Sequence, residues 1–337
     1  MVLERLLWEA VGRQRLITVL CSIALGTTGC ATSSPLTRSQ TAASERQPLI
    51  IDIMPRYWHF RNTAQGADSA TTVRLFREIV VGRDSVVYKD FTGGPSDGSV
   101  ASFLKSVGPY EPAMRIVHAR IRSELPVYVR RFGAALPDAQ WDSVTFYIMP
   151  WLFISNAGGG PSSTGGQVMI FGVDAVARDQ GAEGDLASLF YHELFHVYHS
   201  RIQSQLYPDS ERLPRSRTPL WRILWREGLA TYAASRLSPS SSSDAIVGDS
   251  LAERVKPRLS EFARELRSQL DSTTARAFQL YFTAIARRSE LPPPRAGYYI
   301  GMLVAERLGQ TRSLPELARL GGPQLRSLIE EELKDLK

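Results

Sequence analysis

No proline or glycine interrupts the sequence from Asp185 to Leu206, and apolar residues recur at Leu186, Leu189, Phe190, Leu194 and Val197. Asp185 follows Gly184 and is a natural N-cap, so the spacing predicts a helix over about 185–204. Inside it stands Tyr191-His-Glu-Leu-Phe-His-Val-Tyr-His199. Histidines four residues apart on a helix lie about 40° apart, one turn along, so the imidazoles of His192 and His196 can reach one ion. Glu193, beside the first of them, suits a general base acting on water that a metal has acidified. Zinc is the expected metal, because it lowers the pKa of water far enough for this chemistry near neutral pH. Such a helix constrains the rest of the fold, since other elements must bury its apolar sides and supply a third ligand.

A candidate for that ligand follows in Trp225-Arg-Glu-Gly-Leu-Ala-Thr-Tyr232. Glu227 opens a helix-like segment, and the small residues Gly228 and Ala230 would let it pack closely against a neighbour. That packing is expected to bring the Glu227 carboxylate to the ion. The bland reading is a surface carboxylate near a helix start, where the dipole favours it.

HExxH followed downstream by Glu in a Glu-Gly-Leu-Ala setting resembles the gluzincin class of metallopeptidases, and within it the zinc-dependent peptidases of the peptidase-MA type. The resemblance covers about 185–310 and includes Tyr298-Tyr-Ile-Gly-Met302. It implies a zincin-like fold, Zn2+ on His192, His196 and Glu227, and Glu193 as catalytic base. Two features depart from the thermolysin-like pattern. Thr231 stands where that pattern has an aspartate to orient a histidine, so it can act only as a neutral hydrogen-bond partner. The gap between His196 and Glu227 is also longer. The rival metzincin pattern is absent, because position 202 is Ile rather than a third histidine. His199 shares the helix face one turn on, and is expected to support the ligands, to face substrate, or to be a purely structural histidine. Tyr298 and Tyr299 are the first candidates for stabilising an oxyanion, followed by Tyr232. Arg295 could bind a substrate carboxylate or be an ordinary surface arginine.

Elsewhere the pattern predicts strands at Leu49–Met54, Val144–Met149, Trp151–Ile154 and Gln167–Val173, and a hairpin or strand pair within Thr71–Phe91. Gln167–Val173 is read as a strand lining the cleft, and the Gly-rich stretch Asn156–Gly166 as a flexible loop or flap before it. Helical spacing covers Ala101–Phe132, with a break near Pro109 and Pro112, and then about 219–237, 248–270, 272–289, 296–308 and 322–335. The expected fold is α+β, a single catalytic unit over 49–337. It has a strand-rich part with a small sheet (49–184), a mostly helical part (185–337), and the motif helix at their junction.

Ahead of this unit, Arg13 and Arg15 precede the apolar run Leu16–Leu25, which is too short to span a bilayer but fits a signal-peptide core. The run ends in Gly26-Thr-Thr-Gly-Cys30, which resembles a bacterial lipoprotein processing site, with Thr27 where an aliphatic residue is usual. The reading is a signal peptide over 1–29, lipidation at Cys30, and a flexible Ser/Thr-rich tether over 30–48. The alternatives are ordinary secretion or an uncleaved membrane helix. The other cysteine, Cys21, lies in the leader, so a mature lipoprotein would hold no disulfide. The net charge of +6 on 337 residues is spread without a dense basic block, so nucleic acid is not an expected partner.

The function expected from these readings is a zinc peptidase of the bacterial cell envelope. It would be exported, lipid-anchored toward the periplasm or exterior, and active on a peptide or protein substrate. The alternatives are a zinc amidohydrolase on a non-peptide substrate, a non-catalytic binding lipoprotein on a metallopeptidase scaffold, and a structural lipoprotein with an accidental motif.

Overall fold

Three of the expected strands form and lie side by side. The computed structural model describes residues 48–211, 213–239, 250–283 and 292–337. The leader expected over 1–29, Cys30, the tether up to residue 47 and the outer parts of the helices expected at 248–270 and 272–289 lie outside the described residues. Strand β1 is Leu49–Asp52, β2 Val144–Met149, β3 Ala157–Pro161 and β4 Gln167–Gly172. Their order is β1-β2-β4-β3, with β1, β2 and β4 parallel and β3 antiparallel to β4. Phe146, Ile148, Ile170 and Phe171 are fully buried in the two middle strands, as apolar runs in a covered sheet should be.

Helices fill the rest. The α-helices of five residues or more are α1 Met54–Thr63, α2 Ser69–Phe76, α3 Ser85–Thr92, α4 Asp97–Val107, α5 Glu111–Ala135, α6 Val173–Gln180, α7 Leu186–Leu206, α8 Leu220–Leu237, α9 Leu251–Val255, α10 Leu259–Ser268, α11 Ala275–Phe282, α12 Ala296–Leu308, α13 Leu314–Arg319 and α14 Gly322–Asp335. The fold is α+β with one small sheet. All four strands of the described residues fall before residue 185, but helices also dominate that part. No helix among the described residues is long and apolar enough to cross a membrane.

Three local expectations need correction. Thr71–Phe91 forms helical turns rather than a hairpin. Asp68 caps α2 by accepting the Thr71 N–H at 2.9 Å, and the buried residues Val73, Phe76, Val80 and Val87 recur at helical spacing. Burial at that period overrides the β preference of the branched side chains. Trp151–Ile154 is a tight turn, with Leu152 and Phe153 both left-handed at φ 55° and 56°. Left-handed backbone costs a non-glycine residue about 1–2 kcal/mol. The fully buried Asp174 holds the turn by accepting the N–H groups of Trp151 and Phe153. The Phe153 ring packs edge-on against Phe103 and Tyr110. Burial raises the Asp174 carboxyl to about 6, against the pull of these N–H donors.

The glycine stretch is the third case. Ala157–Pro161 is a strand paired along β4, not a loop. The turn after it uses Gly165 and Gly166 at φ 93° and 77°, conformations only glycine adopts freely. Asp90 ties the turn down by accepting the Ser163 N–H at 2.9 Å. Because β4 is hydrogen-bonded on both sides, it offers no free edge, and the sheet edge on this side is β3.

Candidate metal centre

The motif helix α7 begins as its sequence predicts, with Asp185 accepting the Ser188 N–H at 3.2 Å. It is buried on most sides, with Leu186, Phe190, Leu194, Phe195 and Ile202 in the core. It packs on α5, α8 and the β3–β4 side of the sheet. His192 and His196 leave it on the side facing α8.

There they meet Glu227. His196 Nε2 lies 3.2 Å from Glu227 Oε2, His192 Nε2 lies 3.7 Å from the same oxygen, and the two Nε2 atoms are 3.0 Å apart. The imidazoles stand at 89° to each other, with 4.6 Å between centroids. Three ligands on tetrahedral zinc, with bonds of about 2.0–2.1 Å, are separated by roughly 3.3 Å. The observed separations bracket that value. Two imidazole nitrogens and a carboxylate oxygen are also a usual zinc donor set. The residues present therefore fit a zinc ion. This is the one His/Cys/Asp/Glu group of metal-binding geometry among the described residues.

Electrostatics favours the ligand form of Glu227. At His196 burial lowers the pKa, but the Glu227 and Glu193 charges raise it overall, so without an ion its proton is held more firmly. Burial alone would raise the Glu227 carboxyl, but His196, His192 and Arg226 hold it well below the usual carboxylate range. Arg226 was not singled out from the sequence, although it adjoins the motif glutamate. Its guanidinium donates to Glu227 Oε1 at 3.2 Å through both Nε and a terminal nitrogen.

Thr231 lies one turn beyond Glu227 and is buried. Its Oγ1 donates to the Glu227 carbonyl at 2.7 Å and stands 3.5 Å from His192 Nδ1, placed to accept that N–H. This contact would turn the Nε2 lone pair toward the ion. Thr231→Val keeps the shape and removes the acceptor, so it is expected to weaken zinc binding by about tenfold, the low end for an orienting partner. Competition against a chromophoric chelator measures this, and unchanged affinity would deny Thr231 the role.

Glu193 is 8% exposed, and its charge is felt at both His196 and Tyr298. The two tyrosine candidates separate. The Tyr298 ring lies 6.1 Å from the His192 ring, tilted by 34°. Burial raises its phenol pKa, so it stays protonated and able to donate. Tyr299 points elsewhere, lining a surface depression with Lys256 and Leu303. Neighbours on a helix diverge by about 100°, so only one of the pair can face the centre. Tyr232 meets Gly309 rather than the centre. Arg295, left-handed at φ 67°, covers the Tyr298 ring at 4.8 Å in a cation–π contact. His199 stands outside the ligand group. It is 4% exposed, rests against Phe195 at 6.0 Å, and is lowered to about 3, chiefly by burial and then by His196, Arg226 and Arg222.

The small residues after Glu227 act differently from the sequence reading. Gly228 meets Gly301 of α12, not the motif helix. A Cβ added to Gly228 would stand 2.2 Å from the Gly301 carbonyl carbon, and one on Gly301 would stand 2.6 Å from the Leu224 oxygen. This backbone crossing brings Tyr298, one turn before Gly301, alongside His192. Gly228→Ala is expected to destabilise the protein by about 1–3 kcal/mol through overpacking, as read by urea denaturation. An unchanged midpoint would mean that the helices can part freely.

No family model, curated protein or solved structure matches this sequence or its fold.

Proposed function

We propose that the protein is a zinc-dependent hydrolase of gluzincin type that cleaves peptide bonds. The carrying observation is the convergence of His192, His196 and Glu227 within 4.8 Å of one another, beside a buried Glu193. Two histidines and a glutamate would hold the ion, and zinc bound there supplies the Lewis acidity that acidifies water and polarises a carbonyl. Glu193 takes the proton of the attacking water and delivers it to the leaving amine. Tyr298, protonated and next to His192, is the donor best situated for the developing oxyanion. Thr231 fixes the tautomer of His192, and Arg226 holds the Glu227 carboxylate from its second oxygen. An extended peptide can pair with the outer edge of β3, beside the motif helix. A small sheet ending in an antiparallel edge strand next to such a helix supports a zincin-like reading of the fold. The leader and Cys30 support export to the bacterial cell envelope with a lipid anchor.

Metal analysis combined with digestion of a peptide library tests the reading. One zinc per protein molecule is expected, with cleavage that stops on chelation and returns with zinc. Absence of stoichiometric zinc would refute it. A zinc-loaded protein that cleaves no peptide would favour a binding scaffold, or an amidohydrolase if it cleaves non-peptide amides.

A further inference from the structure

Past His196 the motif helix runs on to a hollow of about 90 Å³ between α7, α8 and the start of α14. His199, Trp221, Arg222, Trp225 and Arg226 line it, and among the described residues no aspartate or glutamate does. Two of these residues carry buried polar groups without a partner among the described residues. His199 is 4% exposed with no bond at Nε2, and Trp225 is 2% exposed with none at Nε1. The indole N–H can only donate, and leaving a buried donor unpaired costs about 1–3 kcal/mol. Arg222 and Arg226 bring guanidinium groups to the wall, each also engaged elsewhere, Arg226 with Glu227. Gly321 and Gly322 bring in the N-terminal end of α14, whose cap makes no side-chain hydrogen bond. Amide groups and the helix dipole there favour an anion. Trp221 and Trp225 form an apolar wall, which suits the hydrocarbon part of a molecule bearing such a group.

The hollow also adjoins the metal centre. Arg226 lines it while contacting Glu227 Oε1 at 3.2 Å. A group seated there would lie one guanidinium away from the residues assigned to catalysis.

We propose that this hollow is a carboxylate-binding subsite that selects substrates carrying a free carboxylate close to the scissile bond, from an acidic side chain or a free peptide C-terminus. The inference rests on the hydrolase reading for its biological use but not for its binding chemistry. The test uses the full-length protein as Glu193→Gln, titrated by calorimetry with three peptides. These are N-acetyl-Ala-Ala with a free C-terminus, N-acetyl-Ala-Glu-amide and the neutral N-acetyl-Ala-Gln-amide. Each titration is run with zinc and after chelation. At least one acidic peptide is expected to bind about tenfold or more tighter than the neutral one, since charge-assisted hydrogen bonds are the strong ones. Which of the two wins identifies the source of the carboxylate. The preference should survive chelation, which excludes the ion as its cause. It should shrink in Trp225→Phe, which keeps an aromatic ring there and loses the N–H, and in Arg222→Gln. Equal binding of all three peptides overturns the proposal, as does a full preference in both variants. Zinc uptake here and turnover by the wild type, without the preference, would sink the subsite alone. The preference in a protein that never takes up zinc would sink the hydrolase reading and leave the subsite standing.

Discussion

Glu193→Gln is expected to keep one zinc per protein molecule and to lower kcat by about 10²- to 10⁴-fold, the usual contribution of a general base. The amide matches the carboxylate in volume, so the buried position at 8% exposure stays filled and the helix keeps its packing. The substitution removes only the capacity to accept and return a proton. Zinc content and turnover measured on the same preparation separate the two effects. Full activity in this variant would refute the mechanism even if the ion were present.

Loss of a ligand should reach further. His196→Ala is expected to weaken zinc binding at least about 10²-fold and to take activity down with it. Structural zinc sites with four ligands are worth about 10–16 kcal/mol in all, roughly 3 kcal/mol for each ligand. Glu227→Gln tests the competing account, in which the three groups are only an ion pair between a carboxylate and protonated imidazoles. On that account the variant loses some stability and zinc content never enters. On the metal account it loses zinc. His196 and Glu227 lie 3.2 Å apart, so their effects on affinity are expected to be non-additive in a double variant.

The motif helix was readable because its signals agree. A capping aspartate, an uninterrupted run and a helical apolar period all select one structure, and histidine spacing then assigns the chemistry. β2 and β4 were readable as dense apolar runs. Expectations failed where a distant partner decides the conformation. Val80 and Val87 favour strands locally but are buried at helical spacing. Leu152 and Phe153 read as strand, yet Asp174, a residue of the next helix, captures the N–H groups of their turn. Glycines 158–160 have little strand preference, and β4 imposes the pairing on them. At the site, sequence supplied the three ligand candidates and Thr231, all of which converge. It could not tell Tyr298 from Tyr299, because that choice depends on the rotation of α12. Nor could it name the partner of Gly228, since a small residue announces a close approach without saying to what.

That approach bears on how the centre would fill. Gly228 and Gly301 touch through backbone, so the carriers of Glu227 and Tyr298 are joined by a contact that involves no cation. An arriving ion would find its carboxylate already posted, with little ordering left to perform. Stripping the ion should then leave the far-ultraviolet spectrum nearly intact, and reloading should be limited by encounter rather than by refolding.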